Sequence, residues 1–138
     1  MADPRILWED NHLLLVYKPA GLLVQGDETG DRTLLDWAAE DVARRFQKPG
    51  KAFIGLPHRL DRPTSGIVVL CKTSKSLARM NALFADRGIQ KTYQCLVEGH
   101  PAEAEARLEH MLWRDGVKKK SFVSTRKDAQ RAVLRYRV

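Results

Sequence analysis

Residues 58–71 read His58-Arg59-Leu60-Asp61-Arg62-Pro63-Thr64-Ser65-Gly66-Ile67-Val68-Val69-Leu70-Cys71, a charged turn running directly into an apolar strand. Pro63 fixes its own φ and stiffens the turn, Thr64 and Ser65 can hydrogen-bond loop backbone, and Gly66 tolerates whatever exit the strand requires. One carboxylate, Asp61, lies between Arg59 and Arg62. Nearby cations favour the ionised form of a carboxylate, so an aspartate held in such a turn is a candidate nucleophile. The same letters also read as a loop aspartate salt-bridged to a neighbouring arginine, the commoner fate of Asp-Arg pairs. His58 reads as a hydrogen-bonded loop residue rather than a base.

Upstream of this stretch, residues 6–8 and 12–17 read as a strand pair around Glu9-Asp10-Asn11, whose polar side chains suit a tight turn. Lys18-Pro19-Ala20-Gly21 then breaks the strand, and a polar loop over 26–31 follows. Thr33 with Asp36 has capping-box spacing, and Leu35, Ala38, Val42 and Phe46 recur at helical intervals. The spacing predicts an amphipathic helix over 34–47, ended by Pro49-Gly50. Downstream, Thr73 or Ser74 caps a second helix through Arg87, with Leu77, Met80 and Phe84 as its apolar stripe and Gly88 as its left-handed terminus.

Residues 91–98 read as a strand around Tyr93, and residues 105–112 and 120–125 as weaker strands flanking an Asp115-Gly116 turn. The last segment alternates, with Ala132, Leu134, Tyr136 and Val138 on one face and Arg131, Val133, Arg135 and Arg137 on the other. Strands separated by two helices, with hairpins late in the chain, predict an α+β fold. Its mixed, largely antiparallel sheet would carry flanking helices in one domain spanning residues 1–138.

A chain of 138 residues can bury roughly 68% of its unfolded surface. Its longest apolar runs, residues 13–17 and 67–71, are far short of a bilayer span, and its first residues carry no apolar signal core. A cytoplasmic chain with no membrane partner is the expectation. Cys71 and Cys95 sit in apolar stretches without a C-x-x-C pair, which predicts buried reduced thiols rather than a disulfide or metal site.

The charge is unevenly placed. Residues 1–111 balance, with 15 Lys and Arg against 15 Asp and Glu, so the whole net charge of +7 lies in residues 112–138. Lys118, Lys119, Lys120 and Arg126 lead this segment. A polyanionic partner and a merely solvated surface account equally well for such an excess.

Other aspartate and cofactor chemistries fail on spacing. No D-x-D follows Asp61, Leu60 interrupts an H-R-D, and neither G-x-G-x-x-G nor G-x-S-x-G occurs. The four histidines never adopt H-x-x-x-H spacing, so neither a metal nor a cofactor is called for.

The run from His58 to Gly66 resembles, nearly letter for letter, the HRLD-x-x-TSG motif of the RluA-type pseudouridine synthases. Lys18-Pro19-Ala20-Gly21, Lys72, Ser76-Leu77-Ala78, Lys91-Thr92-Tyr93 and Val97-Glu98-Gly99 are similar to further family elements and keep the family's order. The resemblance implies isomerisation of uridine to pseudouridine in tRNA or ribosomal RNA; a monomer is the expectation. By that likeness Asp61 is the catalytic carboxylate, Tyr93 stacks on the target uracil, and Arg59 enters the gap left by the extruded nucleotide. From the residues themselves, Arg62, like Arg59, can pair with phosphate through its bidentate guanidinium, so Arg62 is expected as a second substrate contact. Lys18 stays open between a family element and a snorkelling surface lysine.

The family's later L-x-T-G-R-x-H-Q-I-R motif does not occur in residues 1–138, and no S4-type RNA-binding domain precedes Lys18-Pro19. The resemblance therefore carries the expectation of a reading frame continuing past Val138, and of little synthase activity without that continuation. A non-catalytic RNA-binding module that keeps the fold is the alternative.

Overall fold

Strand β1 (Arg5–Glu9) and strand β2 (Leu13–Lys18) form the expected hairpin in the computed structural model, which describes residues 3–118 and 120–138. The turn closes because Asp10 Oδ1 accepts from the backbone N–H of His12 at 2.7 Å and of Leu13 at 2.6 Å. Strand β3 (Gly66–Cys71) pairs antiparallel along the whole of β2, from Leu13 opposite Cys71 to Lys18 opposite Gly66. Leu14, Val16, Val68 and Leu70 project from one face of this sheet and are fully buried. Against them pack Leu34, Ala38 and Val42 of helix α1 (Leu34–Arg45).

Helix α1 begins as the sequence predicts. Thr33 Oγ1 accepts from the Asp36 N–H at 3.1 Å, and Asp36 Oδ2 accepts from the Thr33 N–H at 3.3 Å, a complete capping box. Helix α2 (Ser74–Ala85) is capped by Thr73, whose hydroxyl accepts from the Ser76 N–H. Its stripe of Leu77, Met80 and Phe84 is half-buried, and Leu77 lies so close to Gly55 that an added Cβ there would meet Leu77 Cδ2 at 2.8 Å.

The helix termini differ from expectation in one respect. The left-handed residue after α2 is Arg87, with φ 54°, while Gly88 supplies the N–H that reaches back to the Leu83 carbonyl at 2.9 Å. Helix α1 ends likewise, with Gln47 at φ 50° and the Lys48 N–H on the Ala43 carbonyl. Both are Schellman closures, and the hydrogen-bond register rather than the nearest glycine decides which residue takes the left-handed position.

The chain divides into two compact units, Met1–Thr92 and Tyr93–Val138. In the second, strands β4 (Glu105–Asp115), β5 (Lys120–Val123) and β6 (Gln130–Arg137) form an antiparallel sheet ordered β5-β4-β6. Asp115 Oδ1 closes the β4–β5 turn by accepting from the N–H groups of Val117 and Lys118. The α+β class stands, with every named strand pair antiparallel and the strands shared between two three-stranded sheets.

The strand expected over 91–98 is absent. Those residues have no regular structure, Leu96 is fully exposed, and Cys95, expected to be buried, is exposed as well. Thr92, Tyr93 and Val97 supply propensity, but a strand forms only against a neighbouring ladder, and no pairing engages this segment among the described residues. Cys71 is buried as expected, and burial raises its thiol pKa.

Because an L-residue is strained in the left-handed region, Arg87→Gly should raise the unfolding free energy by about 0.5–1 kcal/mol, the relief being partly offset by greater freedom of the unfolded chain. The measurement is a urea titration in which the midpoint rises and the slope stays constant.

Candidate functional site

The turn that carries Asp61 is anchored from both sides. Leu60 packs against the hydrophobic core, while its neighbours Arg59 and Asp61 stand exposed. Ahead of it, Gly55 exchanges two backbone hydrogen bonds with Cys71 at 2.7 and 2.9 Å, laying the incoming segment along β3. His58 continues that attachment, its Nε2 accepting the Val69 N–H at 2.9 Å and its ring stacking on Phe84 at 4.8 Å. Behind Asp61, the Thr64 N–H closes the turn onto the Asp61 carbonyl at 3.0 Å. Gly66 then turns into β3 with φ 150°, a conformation open essentially to glycine alone.

The strongest brace comes from Lys18. Strand alternation places it on the same face as Leu14 and Val16, and it is 0% exposed. Its Nζ donates to the carbonyls of Leu22 at 2.8 Å, Pro19 at 3.1 Å and Arg62 at 3.2 Å, so all three ammonium protons have acceptors. Burial pulls the Lys18 pKa down, and the charge of Asp61 opposes that shift. The sequence left Lys18 between two readings, and the snorkelling surface lysine is the one the structure overturns. The period of two along β2 carried the missed signal, since it places residue 18 inward with residues 14 and 16.

Arg62 completes the attachment. The Gly21 N–H donates to the Arg62 carbonyl at 2.8 Å, and Arg62 Nε donates back to the Gly21 carbonyl at 3.0 Å. The far end of the guanidinium pairs with Asp31 at 2.9 Å. Neither Arg59 nor Arg62 forms an ion pair with Asp61 among the described residues, so the expected Asp-Arg pairing within the turn does not occur. Asp61 is an exposed carboxylate whose backbone is fixed and whose oxygens, among the described residues, are free of salt bridges.

The remaining sequence-predicted residues lie in the second unit. Tyr93 is largely exposed within the irregular segment at its start. Lys118 and Lys120 flank the β4–β5 turn, Arg126 lies in the loop before β6, and Lys119 falls outside the described residues. Arg126 stacks over Trp113 at 4.4 Å and pairs with Asp128. Among the described residues no three His, Cys, Asp or Glu side chains gather as a metal site, and no helix is long and apolar enough to cross a membrane.

Residues 12–138 match the family model described as RNA pseudouridylate synthase. The chain is 35% identical over 136 residues to ribosomal large subunit pseudouridine synthase D of Zymomonas mobilis, covering 96% of this chain and 43% of that protein. It is 34% identical over 134 residues to tRNA pseudouridine synthase C of Vibrio cholerae, covering 96% of this chain and 52% of that protein. The chain thus spans about half the length of these relatives. Human RNA pseudouridylate synthase domain containing 1 shares the fold with a TM-score of 0.73 at 18% identity, covering 95% of this chain and 50% of that one.

Two consequences of this geometry are measurable. Lys18→Met leaves the Pro19 and Leu22 carbonyls without their buried donor, at a cost of about 1–3 kcal/mol for an unsatisfied group. The variant should lose stability by that order, with faster amide exchange at Gly21 and Thr64. His58 supplies a pH dependence: burial first, then the charge of Lys91, lowers its pKa below the ordinary 6.5. As pH falls below 6.5 the unfolded chain binds the proton first, so the contribution of His58 is complete above that value and is lost on acidification. The stability gap between the native chain and His58→Gln should therefore narrow between pH 7.5 and 5.5 in urea titrations, and a constant gap would exclude His58 as the titrating group.

Proposed function

The chain belongs to the RNA pseudouridylate synthase family, and we propose that it converts uridine to pseudouridine in tRNA or ribosomal RNA with Asp61 as the catalytic carboxylate. The observation that carries this reading is the placement of Asp61. It is exposed, without a salt bridge among the described residues, on a turn held to the core by Leu60, to β3 by His58 and to the β2 terminus by Lys18 and Arg62. A reacting group must be rigidly positioned yet reachable, and this arrangement meets both demands.

The isomerisation breaks the bond from ribose C1′ to uracil N1, joins C1′ to C5, and moves one proton from C5 to N1. Atoms and electrons balance within the nucleotide, so the net reaction consumes no co-reactant. The base must leave its stack to be rotated, at a cost of a few kcal/mol. Arg59, exposed beside Asp61, fills the vacated position through its planar guanidinium, and Tyr93 offers an aromatic surface to the base. Arg62 meets substrate phosphate only from its braced position against Gly21 and Asp31. Lys118, Lys119, Lys120 and Arg126 hold the RNA backbone as point charges and hydrogen-bond donors.

Asp61→Asn in the full gene product should abolish pseudouridine formation on transcribed tRNA and ribosomal RNA while leaving RNA affinity within a few-fold. Asparagine keeps the shape and removes the nucleophile or base. Turnover near the native rate in the variant would remove Asp61 from the chemistry. RNA binding by the native protein without any pseudouridine would favour the non-catalytic module.

A further inference from the structure

The sheet β5-β4-β6 separates its side chains by face. Residues directly opposite in an antiparallel pair share a face, so the register assigns them in rows. One face carries Ala106 with Tyr136, Leu108 with Leu134, His110 with Ala132, Leu112 with Val123 and Gln130, and Arg114 with Ser121. The other carries Asp115 with Lys120, Trp113 with Phe122, Met111 with Arg131, Glu109 with Val133, Arg107 with Arg135, and Glu105 with Arg137. The first is mainly apolar, and the second sets Arg107, Lys120, Arg131, Arg135 and Arg137 among Glu105, Glu109 and Asp115, with the rings of Trp113 and Phe122 toward one end.

On that second face, Glu109 is shared between Arg107 and Arg131. Those two hydrogen bonds hold its carboxyl down to about 2, with Arg131 contributing most. Arg135 and Arg137 have no ion-pair partner among the described residues, and Arg135 stands directly opposite another arginine, Arg107. Like charges in that position destabilise a sheet, so a folding requirement does not account for Arg135, whereas Arg137 stands opposite Glu105. At the other end, Trp113 and Phe122 face the same side, each with a cation over its ring: Arg126 at 4.4 Å and Lys118 at 6.0 Å. Phe122 is 42% exposed.

We propose that this face is a binding surface for unpaired RNA. Arg107, Arg135 and Arg137 take successive phosphates, and the Trp113–Phe122 row stacks a base. Residues on one face of a strand recur about every 6.8 Å, so Arg135 and Arg137 lie in line along β6, with Arg107 beside Arg135 on β4. Unpaired RNA suits it better than duplex, because an aromatic ring needs a splayed base to stack on, whereas duplex RNA presents phosphates and 2′-hydroxyls. The inference rests on RNA being the substrate, and it adds Arg107, Arg135, Arg137, Trp113 and Phe122 to the residues already assigned to RNA.

The test measures binding of the full gene product to a single-stranded RNA oligonucleotide and to the same sequence as a duplex, across a salt series. Arg107→Gln/Arg135→Gln/Arg137→Gln should weaken single-strand binding and flatten the salt dependence by about 0.7 for each phosphate no longer neutralised. Trp113→Leu and Phe122→Leu, which keep apolar bulk without a π-face, should each lower single-strand affinity about tenfold with the salt slope preserved. Thermal melts check that each variant folds, and Phe122→Leu, at the more exposed ring, stands in if Trp113→Leu does not. Native affinity and slope in folded variants would overturn the surface while leaving RNA as substrate. Duplex binding equal to single-strand binding and insensitive to the leucine variants would overturn the stacking. A native protein that binds no RNA would overturn both this surface and the functional reading on which it rests.

Discussion

A single buried ammonium holds together the parts on which Asp61 depends. Lys18 ends strand β2, and the segment Pro19–Leu22 folds around its Nζ while the Arg62 carbonyl arrives from 44 residues further along the chain. A lysine taken out of water loses much hydration free energy, and only a full set of acceptors offsets that loss. Three carbonyls and the charge of Asp61 supply the offset here. The carboxylate proposed for the chemistry thereby also helps keep its own support charged.

The surrounding contacts divide the labour. Leu60 and the β2–β3 pairing give the turn its attachment through buried apolar surface, the largest favourable term available to a small unit. His58, Gly55 and Gly66 set its direction through backbone geometry that admits few substitutes. Arg62 joins three segments at once, which explains why it is unavailable as a partner for Asp61. Asp61 is thereby left exposed, without an arginine partner from its own turn among the described residues.

The second unit follows another rule. Its sheet gathers most of its apolar residues on one face and most of its charged residues on the other, with Arg126 and Lys118 over the aromatic rings at one end. The excess that composition alone left between a partner and a solvated surface becomes a directional feature once the register sorts residues by face. Side-chain period, not total charge, makes that distinction.

Much of this was legible before any coordinates. The capping box at Thr33, the Thr73 cap, the β1–β2 hairpin and the alternation of residues 131–138 are local patterns, and each formed as its spacing requires. The HRLD run and its companion elements identified the family because their order along the chain is itself linear information. Tertiary structure alone decided what depends on groups distant in sequence. It took Arg62 to Asp31 and Gly21 instead of Asp61, turned Lys18 into a buried tie, and left residues 91–98 without a ladder despite their strand-forming composition. Local propensity costs or contributes a fraction of a kcal/mol per residue. A partner that arrives from elsewhere in the chain contributes more, and it is invisible until the chain has folded.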